Sequence, residues 1–332
     1  MKKTYPLIID AYSHIMPPKY KKAVEQAGLI TPHLQRPALY DLEERFRILD
    51  KYDGLLQVLT VGLPPTSNIS DPTKALDISR IANDEMTELV FKYPDRFVAA
   101  IACAPVNHID LALDEIDRAV KDLKCKGLEL TTPIDDRPLD SDEFMPLYAK
   151  MEQLNLPIYI HPDRYVDYAD YRSEDKSKYF AYTLWGWPYE TTLAMTRLVC
   201  SGVLEKHPDL KIVTHHAGAM VPYFEQRIIN FYDLFQMRAG LDLPLTQAPI
   251  AYFKKFFMDT ALYGNMPALM CAYHFCGADK LLFAADMPLG DSQMGYRNYR
   301  QTINAIEQMS IEDSDKKKIY EDNVRQLLRL PV

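Results

Sequence analysis

Four residues able to bind a metal ion or move a proton stand where apolar runs stop: His14 at the end of 8–14, His161 at the end of 157–161, His216 at the end of 210–216 and Asp286 at the end of 280–286. Imidazoles and a carboxylate converging from separate strands are the ligand set of a catalytic Zn2+ or similar divalent ion, with one position left open for water or substrate. Taken alone, each histidine reads more readily as a hydrogen-bonded core group than as a ligand, and Asp286 before Met287 and Pro288 reads also as a turn or cap acid. An unpaired carboxylate at that place is costly, so a cation partner is expected. His215 and His216 are neighbours, and on a strand only one of two neighbours faces the site. Spacing does not choose between them. The one facing away is a packed or solvated histidine, the fate expected for His215.

Alternation along the first run puts Asp10, Tyr12 and His14 on one face. Tyr12 is a weak ligand unless a metal lowers its pKa from about 10. It has three possible roles: ligand as phenolate, hydrogen-bond partner of a metal-bound water or substrate, or filler of the metal position in a metal-free site. Trp185 and Trp187, with Phe180 and Tyr182, make a candidate aromatic pocket, and loop packing is the plain alternative. Arg36, Arg45, Arg47 and Arg164 are candidate clamps for a substrate carboxylate, because a guanidinium fork matches it in two bonds. Arg45 and Arg47 read equally as solvated helix charges.

These residues must be held by elements of a regular kind. Strands are expected at 8–14, 55–61, 96–102, 126–132, 157–161, 210–216, 252–260 and 280–286, with helical periodicity between them. Residues 41–50 carry apolar side chains at 42, 46 and 49, and 71–93 opens on Asp71-Pro72, a helix start. Helices are also expected at 219–235, 296–308 and 311–329. Eight alternating units without a compositional break predict one (β/α)8 TIM-barrel domain over 1–332. It has a proline-bearing excursion at about 15–40 and closing helices at about 296–329. A doubly wound open sheet is the second choice. The barrel is favoured because every candidate residue ends a strand, the face where such barrels carry their chemistry.

Composition narrows the class. The 332 residues are 48% hydrophobic and 25% charged with a net charge of −8, which gives no basic field for nucleic acid or an anionic membrane. Five scattered cysteines without a C-x-x-C spacing read as reduced and buried. The first residues reach Asp10 too soon for a signal peptide, and no run of 18 apolar residues occurs. A cytoplasmic enzyme is expected.

The segments Ile9-Asp10-x-Tyr12-Ser13-His14, Ile160-His161-Pro162, Trp187 to Ala194 with 201–213, His216 to Pro222, and Phe283 to Gly290 together resemble the amidohydrolase-related decarboxylases. These are the group of aminocarboxymuconate semialdehyde, γ-resorcylate and 5-carboxyvanillate decarboxylases. The resemblance covers nearly the whole chain and implies a metal-dependent barrel, commonly a dimer. It matches His14, His161 and Asp286 to the metal ligands. His216, six residues before Pro222, matches the catalytic histidine, and Arg36-Pro37 matches loosely a carboxylate contact. Two departures stand out. Tyr12 replaces the leading His or Glu of the first strand, and His216-Ala217-Gly218-Ala219 lacks the acid of His-Met-Gly-Glu.

The expectation is a metal-dependent, non-oxidative decarboxylase of an aromatic or unsaturated carboxylic acid. Its cofactor would be a divalent ion, Zn2+ first and Mn2+ second. His216, Asp286 and Tyr12 are its candidate catalytic groups; Arg36, Arg164, Trp185 and Trp187 are its candidate substrate contacts. The alternatives are a metal-dependent hydrolase of a lactone, ring ketone or amide, and a silent homologue that only binds a ligand. The expected partners are the small acid and a second copy of the chain.

Overall fold

The structure is a computed structural model describing residues 7–29, 34–63, 65–240, 242–290, 293 and 295–331. The start of the chain at 1–6 and Pro32 of the excursion, on which expectations were placed, lie outside the described residues. Eight parallel strands alternate with helices: β1 (Ile8–His14), β2 (Leu55–Thr60), β3 (Phe97–Ala100), β4 (Leu128–Thr132), β5 (Ile158–Pro162), β6 (Ile212–Thr214), β7 (Phe257–Asp259) and β8 (Leu281–Leu282). They form sheets β1-β2-β3 and β4-β5-β6-β7-β8. Backbone bonds join the sheets at both seams. Ala102 N–H donates to Gly127 O (2.9 Å) and Glu129 N–H to Ala102 O (2.8 Å). Across the other seam Ala11 N–H donates to Phe283 O (2.8 Å) and His14 N–H to Met287 O (2.9 Å). The architecture is the α/β barrel that the alternation predicts.

Helix starts follow the expected capping chemistry. Asp41 accepts from the backbone of Glu43 and Glu44 to open the helix Leu42–Leu49, and Asp71 does the same for Pro72–Lys92. Several expected bounds change. Tyr252 and Phe253, expected to open the seventh strand, instead close the helix Pro249–Phe253, whose first turn holds Pro249 with its φ already set for a helix. The helix expected at 219–235 begins only at Glu225, because His216, Ala217 and Ala219 adopt left-handed backbone first.

Apolar side chains fill two layers. Ile9, Ala11, Tyr12, Val58, Ala99, Ile101, Tyr159, Val213, Leu282 and Ala284 pack inside the ring of strands. Val324, Leu327, Leu328 and Leu330, in and just after the helix Asn323–Leu328, join that inner cluster. The second layer lies between strands and outer helices.

β1 departs from simple alternation. Asp10 pairs with Gln57 and Ser13 with Leu59, so three steps along β1 answer two along β2, a one-residue bulge. Ala11 and Tyr12 therefore both belong to the inner cluster, and Asp10 does not share the face of Tyr12 and His14 as alternation predicted. Asp10 Oδ2 instead accepts from Tyr299 Oη (2.6 Å), and Ser13 Oγ accepts from Arg45 Nη2 (2.8 Å). Burial pushes the Asp10 carboxyl up to about 6 despite these donors.

Arg45 is fully buried, neither a substrate clamp nor a solvated helix charge. Its guanidinium donates to Gln57 Oε1, to the carbonyls of His14 and Ala38, and to Ser13 Oγ, all at 2.8–2.9 Å. It thereby fixes the backbone of the last β1 residue. Arg47 is exposed and pairs with Glu43 and Glu44. Replacing Arg45 with methionine leaves several buried acceptors without donors. The variant is expected to lose about 4 kcal/mol of stability, read as a lower urea midpoint, with a wild-type midpoint as the contrary result.

Candidate metal centre

His14 stands at the mouth of β1 with Nδ1 against Thr60 Oγ1 (2.9 Å). Its ring lies over Gly62, where an added Cβ would come within 2.5 Å of Nδ1 at φ +65, so glycine is required there. His161 ends β5 with its ring centroid 5.0 Å from that of His14. Neither of its nitrogens has a hydrogen-bond partner. Asp286 lies four residues beyond β8 with φ +56. Its Oδ1 is 3.3 Å from both His14 Nε2 and His215 Nε2, and its Oδ2 accepts from Tyr263 Oη (2.6 Å).

His215, expected to pack away from the site, is part of it. β6 ends at Thr214, and His216 with φ +55 turns the chain left-handed, so strand alternation no longer separates the two neighbours. Both rings reach the same region, with centroids 4.1 Å apart. His215 Nδ1 bonds Asp259 Oδ2. The other Asp259 oxygen accepts from the backbone of Ala217 and Ala261, each at 3.0 Å. Asp259 ends β7 after Phe256, Phe257 and Met258, the same local pattern as the four residues singled out, and it was passed over because the strand was expected to run on to 260.

Among the described residues, one donor atom each from His14, His161 and His215 lie within 4.8 Å of one another, and so do donors from His215, His216 and Asp286. His215 belongs to both sets, whereas His14, His161 and Asp286 do not by themselves form one. His14 Nε2, both His161 nitrogens, His215 Nε2, His216 Nδ1 and Asp286 Oδ1 are buried without hydrogen-bond partners. Buried polar atoms are nearly always paired. An orphaned group of nitrogens and a carboxylate oxygen fits a divalent cation, which satisfies them together.

The electrostatics are divided. Burial alone would lower the His215 pKa, but Asp259 and Asp286 raise it to about 10. Burial and the neighbouring His215 push His216 down to about 4. Burial and the surrounding histidines hold His161 well below its usual value. Burial would raise Asp286, yet His14 and His215 keep it well below the usual carboxylate range.

Tyr12 lies inside the barrel with its ring centroid 4.7 Å from that of His215 and its hydroxyl unpartnered. Burial and the nearby Glu129 charge raise its pKa well above 10. Glu129, on β4, is buried, takes Gly62 N–H on Oε2 (2.9 Å) and leaves Oε1 unpaired. It was missed because its segment reads as an ordinary strand.

A cavity of about 580 Å³ opens at this mouth, its wall including Arg36, Trp187, His216, Tyr263 and Asp286. Arg164 is not on that wall: its guanidinium is tied to Glu190 (2.6 Å), with its stem packed on Gly186. Trp185 is also off it, 70% exposed to solvent.

The family model described as Amidohydrolase matches residues 62–330. The chain belongs to the amidohydrolase family. This amidohydrolase is 29% identical over 318 residues to γ-resorcylate decarboxylase of Polaromonas sp., an alignment spanning 92% of this chain and 94% of the relative. It is 24% identical to 2-amino-3-carboxymuconate-6-semialdehyde decarboxylase of Dictyostelium discoideum, across 98% and 92% of the two chains. Its fold is similar to that of a 2,6-dihydroxybenzoate decarboxylase complexed with 2,6-dihydroxybenzoate (TM-score 0.82, 26% identity, 98% and 100% covered). It is also similar to a Polaromonas dihydroxybenzoic acid decarboxylase with bound manganese and 2-nitroresorcinol (TM-score 0.80, 26% identity, 98% and 97% covered).

His215 keeps its proton up to about pH 10 without an ion. A cation taken by Nε2 must expel that proton, so affinity rises as pH rises. The expected slope is about tenfold per pH unit between roughly pH 7 and 9, measured by titration calorimetry with Mn2+ in buffers of different ionisation enthalpy. A flat affinity would remove His215 from the donor set.

Proposed function

We propose that this amidohydrolase is a metal-dependent, non-oxidative decarboxylase of an aromatic carboxylic acid. The observation that carries the reading is the cavity wall, which sets one guanidinium, one imidazole and one carboxylate against an aromatic surface. The relatives reported above are named as decarboxylases, of hydroxybenzoic acids and in one case of an acyclic unsaturated acid, which supports decarboxylation over hydrolysis.

In this reading His14, His161 and Asp286 hold the ion, with His215 as a further donor oriented by Asp259. When bound, the ion supplies positive charge that holds a substrate oxygen and stabilises charge developing on it. The imidazole-rich set suits Zn2+, and Mn2+ is supported by the manganese-bound relative; metal analysis of the purified protein separates the two.

Arg36 receives the substrate carboxylate, and Trp187 forms the face against which the ring lies. The bond from ring carbon to carboxylate breaks, its electron pair stays on the carbon, and a proton fills that position as carbon dioxide leaves. His216 is the imidazole on the cavity wall. With its pKa near 4 it is neutral at rest; it takes up a proton from solvent on one nitrogen and gives one to the ring carbon, so that it is neutral again once carbon dioxide has left. Asp286, an ionised carboxylate on the same wall, steadies the charge that His216 carries while it holds the extra proton. Tyr12, kept protonated by burial and by the Glu129 charge beside it, is a hydrogen-bond donor at the base of the site. No helix among the described residues is long and apolar enough to cross a membrane.

Self-association is supported by the helix Glu225–Ala239, none of whose described residues is buried. With Phe224 it presents Phe231 and Phe235 beside a groove of about 360 Å³. A dimer through this face is expected to become monomeric by light scattering on Phe231→Glu with Phe235→Glu; an unchanged mass would exclude this face.

The reaction is tested with 2,6-dihydroxybenzoate and related hydroxybenzoates in D2O. The expected product carries one deuterium at the carbon that bore the carboxylate, and His216→Asn lowers the rate by roughly 10²- to 10⁴-fold. No carbon dioxide release across the acids, with the ion bound, would reject the reading.

A further inference from the structure

Tyr263 has no part in the proposed reaction, yet its placement is unusual in three independent respects. It lies in the loop after β7 with φ +53, a left-handed backbone that a bulky aromatic residue rarely takes. The following Gly264 is also left-handed at φ +82, and a Cβ there would strike Gln301, so the loop has little freedom to relax. The ring meanwhile rests on Gly290, where an added Cβ would lie 2.6 Å from Tyr263 Cε1 and 2.9 Å from its hydroxyl. The fold thus keeps a strained backbone and an open glycine opposite it. Such strain persists only where surroundings enforce it, and it gathers at functional sites.

That strain delivers one contact. Tyr263 Oη donates to Asp286 Oδ2 at 2.6 Å. Asp286 is itself left-handed at φ +56, so both partners of this bond sit on unfavourable backbone. With Oδ2 engaged, Oδ1 alone is turned towards His14 Nε2 and His215 Nε2, 3.3 Å from each, and it is the oxygen left without a hydrogen bond. A carboxylate whose oxygens were both free could face a cation with either or both.

We propose that Tyr263 is a positioning residue of the metal centre: its hydroxyl ties down one oxygen of Asp286, so that the carboxylate meets the ion through Oδ1 alone and a coordination position stays open towards the cavity. The inference rests on the reading of Asp286 as a metal ligand. The Tyr263 ring also forms part of the cavity wall beside Arg36 and His216, so the residue that sets the carboxylate also shapes the space for the substrate.

The test uses Co2+ as the probe ion with the full chain, because its visible absorption weakens as coordination number rises. Tyr263→Phe keeps the ring and removes only the hydroxyl. It is expected to unfold at the wild-type temperature without ion and to bind Co2+ roughly 10- to 100-fold more weakly. Its Co2+ absorption should weaken as both carboxylate oxygens engage. Should Tyr263→Phe not fold, Tyr263→Asn, a residue that tolerates left-handed backbone, takes its place with the same expected outcome. Wild-type affinity together with a wild-type Co2+ spectrum overturns the inference. The underlying reading fails separately, if the wild-type protein binds no Co2+ or if Asp286→Asn binds it as tightly as wild type.

Discussion

Buried lone pairs that converge without hydrogen-bond partners are the constraint around which the rest of this molecule is arranged. Imidazoles left to themselves would rotate to find donors or water, and a carboxylate would swing towards any cation. For three of these groups a contact on the far side prevents this. Thr60 and the bare Gly62 backbone hold the His14 ring, Asp259 holds His215, and Tyr263 holds one side of Asp286. Behind them Arg45 ties down the backbone at the end of β1. The unsatisfied atoms are thus kept apart from alternative partners by polar groups that are themselves largely satisfied, which is how a protein maintains an expensive arrangement until a ligand offsets its cost.

Much of this was legible in the sequence, and the failures have identifiable causes. The barrel and the four strand-end residues could be read because apolar runs ending in chemically able side chains are a local signal. The bulge in β1 could not, since nothing in Asp10-Ala11-Tyr12-Ser13 marks an extra residue until β2 is aligned beside it. His215 was misplaced because alternation holds only while the chain is a strand, and it ceases to be one at Thr214. Tyr263 and Glu129 carry no motif; their importance lies in contacts with residues far away in sequence. Arg164 and Trp185 have suitable chemistry, but a nearby carboxylate occupies the first and solvent the second.

Tyr12 takes a different meaning once its surroundings are known. The related first-strand pattern places a histidine or a carboxylate there, and a neutral phenol in place of a carboxylate removes one negative charge from the donor set. His215 adds a nitrogen to the same cluster, which in the proposed reading would compensate in number of ligands but not in charge. A less negative centre would hold an ion less tightly, and a bound ion would retain more of its positive charge to act on a substrate oxygen. Glu129 belongs to neither donor group, yet it is close enough for its charge to weigh on the Tyr12 phenol.

The plugging of the barrel by Val324, Leu327, Leu328 and Leu330 has a temporal side. These residues complete a cluster that begins at Ile9, near the other end of the described chain. During synthesis the inward faces of all eight strands exist before the side chains that cover them from below. Until those last turns emerge, the nascent chain must carry apolar strand faces open to water, a period in which chaperone binding or aggregation competes with folding. A segment far along the chain from β1 thereby determines when that strand is sealed.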